Sequence, residues 1–194
     1  MARSRCSNWI TAAFLVDRRA GEQRLSPKAH PEDPIGSFWL TEPGTTMVYV
    51  SVIDGLPAGD TDTPPVHDEW IPAVAAATPE VRRRVVHTAQ RMGAMNGSAE
   101  ELGLAVTEAW SNALQHGTAH PGDRIRLQIW VSRHRVTVQL TYPGEPFPVF
   151  PPTLPPPSCL RGRGRYLMEH LADRVRYTFE HGHTEVRLEK LLAR

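Results

Sequence analysis

The 194-residue chain is long enough for one domain plus an extension, or at most two small domains; its apolar fraction of 40% and charged fraction of 22% are ordinary for a folded protein. A formal net charge of +1 excludes a bulk field that would recruit nucleic acid or an anionic membrane, so neither is expected as a direct partner and any anion must be bound locally. Cys6 and Cys159 stand far apart and outside any metal-ligand spacing, which argues against a disulfide scaffold or zinc site and suits a reducing cytoplasm.

Residues 1–66 are rich in Pro, Gly, Asp and Thr and end in the linker-like GLPAGDTDTPP. Trp9–Val16 is apolar but short, and it runs straight into Asp17, Arg18 and Arg19 without a small-residue cleavage site, so no signal peptide is expected. Thr46–Ile53 alternates like one strand, and a lone strand cannot bury itself. The expectation is an N-terminal extension over 1–66, a poorly ordered or docked arm, followed by a domain over 67–194.

Trp70–Ala75 reads as a short edge strand, where Pro72 is tolerated. A helix should start at Thr78, with Pro79 and Glu80 in its first turn, and run to about Met95 on a stripe of Val81, Val85, Val86, Ala89 and Met92. Arg82, Arg83 and Arg84 fit a solvated or partner-facing surface better than a nucleic-acid patch. Asn96 and Gly97 break the pattern, and Ser98 with Glu101 three residues on suggests a capping box for the next helix.

That helix, ELGLAVTEAWSNALQHG from Glu101 to Gly117, is the centre of the chain. Leu102, Ala105, Val106, Ala109 and Ala113 form one stripe; Glu101, Leu104, Glu108, Asn112 and Gln115 form a second beside it. Glu108 and Asn112 are four residues apart, which puts a carboxylate and a carboxamide on one helical surface. A carboxylate can take a proton, and an amide oxygen is a hard ligand suited to magnesium. Taken alone, the pair also fits a solvated helix face. His116 and Gly117 end the helix, with glycine at the usual C-terminal position.

Arg124–Val131 and Arg135–Tyr142 alternate as the two strands of an antiparallel hairpin. Eight prolines between Pro143 and Pro157 then exclude helix or central strand, leaving a long lid-like loop. RGRGR, Arg161–Arg165, directly precedes an apolar helical pattern; glycines there let backbone N–H groups converge on an anion, and phosphate is the natural guest. A last hairpin, Val175–Phe179 and Thr184–Leu188, turns at His181-Gly182-His183, a turn with solvated histidines rather than a metal site.

In their order, these stretches resemble the GHKL ATPase superfamily of gyrase, histidine kinases and anti-sigma-factor serine kinases. VTEAWSNALQHG is similar to its N box and GRGRYLMEHLADRV to its G2 box, and the likeness covers roughly residues 68–191. Within the superfamily, the chain resembles the small anti-sigma-factor kinase-like regulatory proteins of bacteria. The resemblance implies a two-layer α/β sandwich of the Bergerat type, with helices on one face of a mixed, largely antiparallel sheet. It also implies ATP and Mg2+ as cofactors, Glu108 as the general base, and Asn112 as the magnesium ligand. Nucleotide contacts would come from Asn112, His116, Gly117, Tyr142, Gly144, Arg161, Gly162, Arg163 and Gly164. The implied activity is transfer of the ATP γ-phosphate to a serine of an anti-sigma-factor antagonist. A sigma factor or that antagonist would be the partner, and the protein a homodimer. The alternative is a degenerate, non-catalytic module that sequesters a sigma factor or antagonist. One departure stands out: where the family's G1 box has an adenine-binding aspartate followed by glycines, this chain has Tyr142 in the aspartate position and Pro146 in that of the second glycine.

Overall fold

The computed structural model describes residues 9–16, 46–53, 63–117, 120–144 and 163–192. Seven strands, β1 (Trp9–Val16), β2 (Thr46–Ile53), β3 (His67–Pro72), β4 (Arg124–Ser132), β5 (Arg135–Pro143), β6 (Arg174–Glu180) and β7 (His183–Leu191), form one sheet in the order β1-β2-β6-β7-β5-β4-β3. A short 3-10 turn, Ala75–Ala77, and three α-helices, α1 (Thr78–Arg91), α2 (Asn96–His116) and α3 (Gly164–Leu171), complete the described elements. The α/β architecture expected from the sequence is present. Every described pairing is antiparallel, so the sheet is not mixed. Trp9–Val16 is itself a strand: it pairs with Thr46–Ile53, and that hairpin extends the sheet at the β6 edge.

Alternation in the central strands sorts their side chains onto two faces. Ile125, Leu127 and Ile129, Val136, Val138 and Leu140, and Val186 and Leu188 are buried and join the stripe of α2 in one core. The opposite face is polar yet partly enclosed, and Glu189 lies there between Arg135 at 3.0 Å and Arg174 at 3.6 Å.

In α1, Val81, Val85 and Ala89 are buried as the periodicity requires. The helix stops at Arg91 rather than near Met95, and Met92 is half exposed beyond it. Gly93 at φ 87° is the cause: the amide of Ala94 donates to the Ala89 carbonyl and that of Gly93 to Gln90, a helix-ending arrangement that needs a left-handed residue. The arginine run is an ion-paired surface, with Arg82 on Glu100 at 2.8 Å and Arg84 on both Glu80 and Glu69. α2 starts earlier than expected, at Asn96, with no side-chain cap; Ser98 and Glu101 lie inside it, so there is no capping box. Glu101 is instead bonded to Lys190 at 2.7 Å.

α1 packs tightly against α2 at Gly103, where a Cβ would stand 2.5 Å from Val86 Cγ2 and 3.3 Å from Arg82 Cγ. Gly103→Ala should therefore force α1 and α2 apart and lower stability by about 1–3 kcal/mol. Gly97→Ala, in the first turn of α2 with nothing within 4 Å of the new methyl, should raise stability by about 0.5–1 kcal/mol through helix propensity. Thermal or urea melts of the two variants check this opposition of sign.

Candidate functional site

The C-terminal half of α2 carries Glu108 and Asn112, both half-buried, on the stripe adjoining the core. The first residue of α3 arrives against that stripe. A Cβ on Gly164 would lie 2.7 Å from Glu108 Oε2 and 3.6 and 3.7 Å from Oδ1 and Nδ2 of Asn112. Residues 56 and 52 positions apart in the chain thus meet. The meeting has a chemical logic: the first turn of α3 presents backbone N–H groups without intrahelical partners and the positive end of the helix dipole, next to a carboxylate and a carboxamide oxygen. Arg163 and Arg165 are half-buried at the same helix start; Arg165 lies 3.6 Å from Glu169 and over the ring of Tyr177.

A second group forms where α2 ends. Tyr142 of β5 is directly opposite Thr184 of β7, and both are buried. Gly117 sits against the tyrosine so closely that a Cβ there would be 2.1 and 2.4 Å from two carbons of the ring and 2.8 Å from the Pro143 carbonyl. Gly144 completes the cluster: its amide donates to the Gly182 carbonyl, and a Cβ on it would be 3.0 Å from Thr184 Oγ1 and 3.6 Å from the Gly117 Cα. Thr184 Oγ1 is buried and has no hydrogen-bond partner among the described residues. Burial pushes the Tyr142 phenol well above its ordinary range, so it stays neutral and supplies no negative charge where a carboxylate would.

The expected site residues therefore fall into two clusters, Glu108, Asn112 and Gly164 at one and Gly117, Tyr142 and Gly144 at the other. His116 is exposed at the helix end and makes no hydrogen bond or ion pair among the described residues. Arg161, Gly162 and most of the proline-rich loop lie outside the described residues. Gly117 has φ −122°, which any residue adopts; it is glycine because of the Tyr142 ring and not because of a left-handed cap. Thr184 is the residue that sequence reasoning missed, since it reads only as one position of a strand. Its pairing with Tyr142 would have found it.

Residues 71–190, more than half of the chain, match the family model described as the histidine kinase-like ATPase domain. Among solved structures, the RsbU and RsbW domains of Rv1364c from Mycobacterium tuberculosis align with a TM-score of 0.52 at 21% identity, over 68% of this chain and 33% of that one. The chain thus spans about a third of that structure's length, and the likeness is one of fold. The histidine kinase domain of the blue-light activated histidine kinase from Erythrobacter litoralis EL346 aligns with a TM-score of 0.40 at 19% identity, over 63% of this chain and 62% of that one. No curated protein matches the chain.

The two close glycines predict opposite behaviour. Gly117→Ala drives a methyl into an aromatic ring and a backbone carbonyl, and should cost about 3 kcal/mol or more, read as a lower midpoint in urea. Gly164→Ala meets the free end of a flexible carboxylate, so the midpoint should change by less than about 1 kcal/mol while Glu108 is displaced.

Proposed function

Because the chain belongs to the histidine kinase-like ATPase family, we propose that it binds MgATP between α2 and the start of α3 and acts as an anti-sigma-factor-like regulatory protein, a serine/threonine protein kinase directed at an anti-sigma-factor antagonist. The observation that carries this is the meeting of Gly164 with Glu108 and Asn112. Magnesium prefers few protein oxygens alongside phosphate and water, and Asn112 Oδ1 offers one such oxygen. The glycine and the free N–H groups of the first turn of α3 suit phosphate oxygens, with Arg161, Gly162 and Arg163 adjoining in sequence. At the other cluster, Thr184 Oγ1 is an orphaned polar atom suited to a base edge, beside Gly144 and Gly117.

Bound MgATP would supply the transferable γ-phosphoryl group. Glu108 is the general base, taking the proton of an acceptor hydroxyl while Asn112 orients the metal. The partner class, an antagonist or a sigma factor, rests on the resemblance of the N and G2 stretches to anti-sigma-factor serine kinases, as does a homodimer. We assign the kinase-like domain to residues 67–194 and an extension to 1–66, and place the protein in the cytoplasm; no helix among the described residues is long and apolar enough to cross a membrane.

A specific observation favours a second reading. The ring of Tyr142 fills the space beside Gly117 where the family has a short carboxylate, and losing a designed polar contact to a base reduces discrimination by several kcal/mol. On that reading the protein is a non-catalytic module that sequesters a sigma factor or antagonist.

Calorimetric titration of MgATP, followed by phosphotransfer to the antagonist, separates the two. The kinase reading predicts binding that Asn112→Ala weakens about tenfold, equivalent to about 1.4 kcal/mol. It also predicts that Glu108→Gln retains binding and slows phosphotransfer at least about 100-fold. Binding without transfer by the wild type supports the sequestering module with a retained pocket, and no binding refutes the nucleotide site altogether.

A further inference from the structure

Lys190 is one of only two lysines in the chain, and it is buried on the helix-facing side of β7. Its Nζ donates to the carbonyl of Leu171, the last residue of α3, at 2.7 Å, and it pairs with Glu101 Oε2 of α2 at 2.7 Å and with Asp173 Oδ1 at 3.7 Å. The neighbouring β7 residues reinforce the attachment. The Asp173 amide donates to the Glu189 carbonyl at 2.9 Å, and the Leu191 amide donates to Asp173 Oδ2 at 2.6 Å. The C-terminal end of α3 is thus tied to both the sheet and α2 through one ammonium group.

The spacing shows what this tie controls. On α2, Glu101 and Glu108 are two turns apart on one face; on α3, Leu171 and Gly164 are separated by the same number of residues. At 1.5 Å per residue both intervals span about 10.5 Å. α3 therefore lies antiparallel along α2 with one end held at Glu101 through Lys190 and the other end seated on Glu108 and Asn112. A slide of α3 by one residue would carry Gly164 off the carboxylate and bring a side chain into its place.

We propose that Lys190 is a positioning residue: it sets the axial register of α3 on α2, and through it the seat of Gly164 against Glu108 and Asn112. The inference rests on the nucleotide-binding reading for its functional consequence, but not for its structural one. Lysine suits the position because three donors on a compact charge can serve acceptors from three elements, which the planar fork of arginine does not match.

The test uses the full chain, with Lys190→Met and Glu101→Ala as variants and Glu100→Ala, which loses only the surface pair with Arg82, as control. Hydrogen exchange is followed in α3 and in β4 and β5, and MgATP is titrated into each protein. Lys190→Met should speed exchange across α3 about tenfold with β4 and β5 unchanged, and weaken MgATP about tenfold, as expected for a lost charge-assisted contact. Glu101→Ala should act in the same direction, about threefold on each. Glu100→Ala should alter neither. Wild-type rates in α3 for both variants overturn the proposal, as does faster exchange with unchanged MgATP affinity. If Lys190→Met does not fold, Glu101→Ala decides alone, since its side chain is half exposed and dispensable to the core. If the wild type binds no MgATP, the nucleotide reading falls, and α3 exchange by itself upholds or overturns the register role.

Discussion

Everything in the candidate site depends on how α2 lies on the sheet. Its buried residues include the stripe Leu102, Ala105, Val106, Ala109 and Ala113 and, beside it, the fully buried Trp110, so the helix is packed into the core along most of its length. One end of it reaches Lys190 and the other reaches Tyr142, the strand partner of Thr184, and these lie at opposite ends of the paired strands β5 and β7. From Glu101 to Gly117 is about 24 Å along a helix, and from Lys190 to Thr184 about 20 Å along a strand. The near match of these lengths means that α2 runs along the strand pair, holding its Glu108 and Asn112 midway over the sheet. α3 has only to dock alongside to place a glycine against them.

Much of this was legible in the chain because it is local. The four-residue spacing of Glu108 and Asn112, the alternation of β4 and β5, and the start of α3 at Gly164 each depend on neighbouring residues, and each is found where the local sequence put it. What was not legible depends on contacts between distant segments. The orphaned hydroxyl of Thr184 becomes visible only through its pairing with Tyr142, 42 positions earlier. The need for glycine at position 117 comes from the Tyr142 ring and not from helix termination. The absence of a capping box at Ser98 follows from the helix starting at Asn96, which leaves Glu101 free to bind Lys190. Likewise, Trp9–Val16 shows only as an apolar run until β2 is there to pair with it.

The two clusters pull the functional account in different directions. At Glu108, Asn112 and Gly164 a carboxylate, a carboxamide and the first turn of a helix meet, and the proposed reading assigns them to base, metal ligand and phosphate donors. At Gly117, Tyr142 and Gly144 a neutral, buried phenol stands where the resemblance to the family's G1 box implies an acidic residue, and Gly117 lies against its ring. A site can lose specificity for a base while keeping its hold on phosphate and metal, because the two are recognised by different atoms. On the proposed reading, the chain combines a retained phosphate end with a rebuilt base end.

The most direct test of that account follows backbone amide resonances of isotope-labelled protein as MgATP is added. Coupled movement of Gly164 with Gly144, at the two ends of the site, is the predicted result. Resonances of both glycines that stay fixed at saturating nucleotide would contradict the account, and would turn attention from the glycine clusters to a protein partner.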